Sequence, residues 1–146
     1  MPLDEANFGF GTLEVALKYA LLVLAAVPAL WVAPAAAVDA RFYNSLKRLD
    51  PATRLEQVCD VEAMNRIDRD PTPYHPDRAK SDVLSAPRHV GDMVKGNGGA
   101  FRSKGKWYSY SFVCKGSPDH YKVLSFSYKI GGPIPETKWA SYGLWR

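Results

Sequence analysis

Cysteine is nearly absent from this chain, with two in 146 residues, and histidine is little commoner, with three. Two thiols cannot make a structural zinc set alone, and His75, His89 and His120 have no metal-ligand spacing, so neither metal nor cofactor is expected. Gly96-Asn97-Gly98-Gly99 has the glycine content of a phosphate loop. It lacks the Gly-Lys-Ser/Thr ending and the following helix, and reads instead as a flexible turn. No serine or cysteine nucleophile stands beside a base, and no pair of carboxylates suggests acid–base work. Asp119-His120 is an adjacent acid and base, but neighbours in a loop point apart, and Asp119 reads as a turn cap. Repeats and low-complexity runs are also missing, and enzymatic activity is not expected.

Charge is missing altogether from Tyr19 to Ala37, which Lys18 precedes and Ala35-Ala36-Ala37 closes. This reads as a signal peptide over 1–37, cut after Ala37 or Ala40. The alternative is an uncleaved anchor, because such a run just spans a bilayer; Pro28, Pro34 and the small-residue end favour cleavage. Asp4, Glu5 and Glu14 make the first 16 residues acidic where signal peptides are basic, and initiation at Leu17 would remove them. Losing three acids and one base with the leader raises the net charge from +4 to +6. The expected product is a single periplasmic or secreted domain over 38–146. Its partner is an anionic envelope polymer or an envelope protein, with no nucleic acid, and with membrane contact only through an uncleaved leader. In an oxidising compartment two cysteines form one disulfide.

Lys106 to Ile130 carries the strongest strand signal. Tyr108, Tyr110, Phe112 and Cys114 alternate with polar residues, as do Leu124, Phe126, Tyr128 and Ile130, and the five residues Gly116 to His120 separate the runs. A register across that loop sets Phe112 opposite Leu124 and Tyr110 opposite Phe126, at the expense of placing Lys122 opposite Cys114 on the greasy face. Upstream, a two-residue turn at Lys104-Gly105 pairs Ser103 with Lys106, Arg102 with Trp107 and Phe101 with Tyr108. The apolar side of this meander needs a cover. Asp39 to Leu49 reads as a short amphipathic helix. A second runs from Pro51 to about Asp68, with Asp50 as N-cap and Leu55, Val58, Cys59, Ala63 and Ile67 as its apolar stripe. Cys59 on that stripe and Cys114 on the greasy face predict the disulfide that pins the helix to the sheet.

Asp70 to Asp77 reads as a rigid connector, and Arg88 to Val94 as a short strand. Pro135 to Tyr142 reads as a helical turn, with Leu144-Trp145 tucked back onto the domain. The outer sheet face is where binding is expected. The register puts Arg102, Trp107 and Lys129 in one row, with Ser109 opposite Ser127 in the next, and an aromatic flanked by cations beside hydroxyls suits an acidic sugar. The bland alternative is a solvated face whose tryptophan is shielded by cation–π contacts with its neighbours.

The segments LDPATRLEQVCDVEAMNRI (49–67), KWYSYSFVC (106–114) and DHYKVLSFSYKIGGPIPETKW (119–139) resemble an alphaproteobacterial family catalogued as domain of unknown function 930. The resemblance implies an exported envelope protein, sometimes with an N-terminal membrane segment, and assigns no functional residues. The expectation is therefore an α+β domain of two N-terminal helices on a three- to four-stranded antiparallel meander with one disulfide. Its expected role is a non-catalytic binding or interaction module. The alternatives are a small secreted enzyme acting on envelope glycan, or an inhibitor of a secreted hydrolase.

Overall fold

The computed structural model describes residues 35–146, which form one compact unit. Residues 1–34, which hold all but the last three residues of the expected leader as well as the alternative start at Leu17, lie outside the described residues. The elements in order are α1 (Ala35–Leu46), α2 (Pro51–Arg69), β1 (Pro76–Lys80), β2 (Arg88–Val90), β3 (Met93–Ser103), β4 (Lys106–Gly116), β5 (Val123–Pro133), α3 (Glu136–Trp139) and a closing 3-10 turn, Ala140–Tyr142. The fold is α+β: helices, then an antiparallel sheet.

α2 starts where the sequence says it should. The Asp50 carboxylate accepts hydrogen bonds from the backbone N–H groups of Ala52 and Thr53, and Pro51 takes the first helical position, where its missing N–H costs nothing. The stripe Leu55, Val58, Cys59, Ala63 and Ile67 is buried against Val94, Phe101, Tyr110, Phe112, Cys114 and Phe126 of the sheet. The Cys59–Cys114 disulfide is formed, with Cα atoms 6.1 Å apart and a sequence separation of 55. α1 ends at Leu46 rather than Leu49, and the chain turns there so that Leu46 and Leu49 both reach the core.

The sheet is ordered β1-β3-β4-β5, with β2 also paired to β3 beside β1. The β3–β4 turn has the expected register, with Phe101 opposite Tyr108, Arg102 opposite Trp107 and Ser103 opposite Lys106. Lys104 and Gly105 both take positive φ, as a two-residue hairpin turn demands.

Three expectations are corrected. In the β4–β5 register Cys114 faces Phe126, Phe112 faces Tyr128 and Tyr110 faces Ile130. Lys122 leaves the greasy face and joins a longer loop. An irregularity at Lys115/Gly116 then throws Leu124 outward, 61% exposed, while Val123 packs on the core. The second correction is Gly96-Asn97-Gly98-Gly99, which is no loop but a bulged stretch inside β3. A side chain at Gly99 would stand 2.6 Å from the Tyr110 ring, so glycine permits the close approach. The third is the connector, whose last part becomes β1, an edge strand carrying proline and charge.

Candidate functional site

The outer face of the sheet has a covered half and an open half. Trp107, placed on this face by alternation, was expected to be exposed and is fully buried. It forms a second apolar cluster with Ala100, Ile134, Trp139 and Leu144, with Val83 and Leu84 packed alongside. The tuck of the C-terminal segment, which the sequence suggests, supplies the cover. The Trp107 indole N–H donates to the Trp145 carbonyl at 2.8 Å, and Leu144 N–H donates to the Trp139 carbonyl. The Arg102 guanidinium lies 5.9 Å from the ring centroids of both Trp107 and Trp145. It also donates two hydrogen bonds to Asp77, at 2.9 and 2.8 Å, which hold that carboxyl below the usual carboxylate range. Arg102 and Trp107 are thus spent within the protein. The alternative of a solvated face is met only in part: Arg102 does lie near the Trp107 ring, but the ring is covered by the C-terminal segment instead of standing in solvent.

Lys129 and Ser127 remain on the open half, but with new neighbours. Lys95, Val113 and Ser127 form one cross-strand row, and Lys129 pairs with Ser111 in the next. Ser109 does not face Ser127; its hydroxyl donates to the Gly132 carbonyl at 3.2 Å. With Asn97 from the β3 bulge, Lys95, Ser111, Val113, Ser127 and Lys129 line a groove of about 490 Å³. The bulge is fixed from outside: Leu84 N–H donates to the Gly98 carbonyl at 2.7 Å, and Ser85 donates to the Asn97 side-chain oxygen. A second groove of about 330 Å³ follows at the lid edge, lined by Leu84, Ser109, Gly132, Pro133, Ile134, Pro135, Lys138 and Tyr142. The two linings hold three lysines and no carboxylate. Among the described residues Lys95, Lys129 and Lys138 form no ion pair. Unpaired cations beside hydroxyls and an amide form a surface that attracts an anion and offers it hydrogen bonds.

The histidines are occupied elsewhere. His120, at φ 59°, has Nδ1 2.7 Å from the Pro51 carbonyl and Nε2 3.0 Å from Asp92, so neither nitrogen is left for a substrate proton. Asp119 caps the hairpin loop, accepting from Tyr121 N–H and the Ser117 hydroxyl. His75 sits 2.8 Å from Asp68, and His89 2.6 Å from Glu56. No group of three His, Cys, Asp or Glu side chains converges among the described residues.

Two residues gave no signal in the sequence. Arg54 donates to the carbonyls of Leu46, Leu49 and Asp119 and stacks 4.4 Å from the Tyr121 ring centroid, tying α1, α2 and the hairpin loop together. Asp60 lies on the buried side of α2, with one carboxyl oxygen lacking any hydrogen-bond partner. Burial pushes its carboxyl up to about 8; Ser81 opposes this, and the charges of Asp82 and Glu56 add to it. An arginine or aspartate at a helical position is ordinary, and only tertiary contact makes these two special.

The family model described as Domain of Unknown Function (DUF930) matches residues 46–144. No curated protein and no solved structure matches. The match runs from buried Leu46 to buried Leu144, so it takes in the disulfide-linked core, the open groove and the C-terminal lid.

Proposed function

We propose, for a chain that belongs to the DUF930 family, that it is an exported, non-catalytic module whose open outer groove holds an anionic polymer of the cell envelope. The observation that carries this reading is the groove's charge: Lys95 and Lys129 stand beside Asn97, Ser111 and Ser127 with no carboxylate in the lining. A lysine on an ordinary solvated sheet commonly meets an acid across the strands. Here the cations are left for something external. The disulfide supports a periplasmic or secreted setting, since such bonds persist outside the reducing cytosol. A net positive charge adds long-range attraction to anionic partners.

The reading is tested by retention of the oxidised protein on immobilised polygalacturonate against uncharged dextran, at low and at physiological salt. Wild type is retained on the acidic matrix alone, and salt weakens it. Lys95→Ala with Lys129→Ala lowers affinity by roughly tenfold or more, about 1.4 kcal/mol. Both side chains lie on the open face, so unchanged circular dichroism accompanies the loss. Equal retention of the double variant sinks the proposal.

A further inference from the structure

We infer that the two grooves are a single track for a linear anionic polysaccharide, which lies across several sugar rings with Tyr142 as the ring platform at the lid end. The inference rests on the reading of the Lys95–Lys129 groove as an anion site. Ser111 lines one groove and Ser109 the other. Two residues apart on one face of β4, they are separated by only about 7 Å. On the β5 side no side chain stands between the grooves, because the neighbouring positions there are Gly131 and Gly132. A side chain at Gly131 would collide with Ser109, while Gly132 opens onto free space. From Val113 to Ser109 the floor runs about 13 Å along β4, and the second groove continues it to Pro135, Lys138 and Tyr142.

The chemistry along this track repeats. Lysine occurs at both ends, hydroxyls lie between, and apolar surface is offered by Val113 and Tyr142, both exposed. A chain of acidic sugars matches this pattern, with carboxylates for the lysines, hydroxyls for the serines and Asn97, and a ring face for the tyrosine. A polypeptide matches it less well. β4 is a central strand whose backbone groups are taken by β3 and β5, so a peptide lying on its face would find no main-chain partners for its own N–H and C=O groups. A purely charged chain such as polyphosphate would use the lysines and leave Tyr142 idle.

Calorimetry on the full oxidised chain, with (1→4)-linked oligogalacturonates from dimer to hexamer, tests the inference. Carboxyl-reduced hexamer and polyphosphate serve as comparisons. Affinity should rise about tenfold or more from dimer to hexamer, and the reduced hexamer and polyphosphate should bind more weakly than the acidic hexamer. Tyr142→Ala should erase the gain with length, and Tyr142→Phe, which keeps the ring, should retain it. If the acidic oligomers bind through Lys129 but neither length nor Tyr142 matters, or if polyphosphate equals the hexamer, the track is overturned and the anion site stands. If no acidic oligomer binds, or binding ignores Lys129→Ala, both readings fall.

Discussion

Asp60 is the residue at which burial and ionisation conflict. Its carboxyl is desolvated on the core side of α2 and has one oxygen unpartnered, so the neutral form is favoured and the group titrates near 8 instead of 3.8. Between those values the folded protein keeps a proton that the unfolded chain has released. Stability attributable to Asp60 is therefore fully present below about pH 4, falls by up to about 1.4 kcal/mol per unit as pH rises through the window, and levels off above 8. Asp60→Asn removes the titration. Its urea midpoint should match or exceed wild type at pH 9 and lose ground relative to it at pH 5, and parallel profiles for the two proteins would show that the carboxyl is not buried in this way. Trp107 teaches a different lesson at the same scale. Alternation correctly puts it on the outer face, yet says nothing of what lies above that face. Its cover comes from Leu144 and Trp145, some 38 residues later in the Trp145 case; the sequence suggests that these two fold back, but no local pattern says that Trp107 is what they cover.

At the scale of elements, legibility follows how locally each element is determined. The β3–β4 turn was readable because Lys104-Gly105 must be a tight turn and the faces agree across it. The β4–β5 register was not, because a six-residue loop with a bulge after it fits the composition of Gly116 to His120 as well as a five-residue one. The misplaced Lys122 was the clue, since the observed pairing puts Phe126 opposite Cys114 instead. β1 has no mark in the sequence because Pro76-Asp77-Arg78 lacks strand propensity, and pairing with β3 overrides it. The disulfide was legible because two independent periodicities, 3.6 in α2 and two in β4, converge on Cys59 and Cys114. It closes a loop of 55 residues, for which the chain-entropy model gives about 4 kcal/mol. Serine at both positions should lower the melting temperature by more than 10 °C, roughly what that energy implies for a domain of this size. The stripe of α2 would still pack, so the variant should remain folded at low temperature. An unchanged melting temperature would mean that the bond constrains nothing the core does not already fix.

At the scale of the molecule, two apolar clusters of unequal strength share the sheet. The inner one joins α1, α2 and every long strand and is crosslinked by the disulfide. The outer one is held by Ile134, Trp139 and Leu144 from the end of the chain, with Ile134 N–H bonded to the Trp107 carbonyl and Leu144 N–H to the Trp139 carbonyl. A segment that buries few residues is where sub-global opening concentrates. Native-state hydrogen exchange in low denaturant should therefore show Ile134 and Leu144 amides exchanging through openings of lower free energy than Phe112, Cys114 or Phe126. Leu144→Ala should speed the first group much more than the second. A single exchange isotherm for both groups would instead make the lid part of one cooperative unit. The distinction matters for the groove, because Ile134, Pro135, Lys138 and Tyr142 belong to the lid and make its second half. A lid that opens alone assembles that half only while closed, so a chain bound across both halves should slow exchange at Ile134 and Leu144, whereas a ligand confined to Lys95 and Lys129 should leave it unchanged.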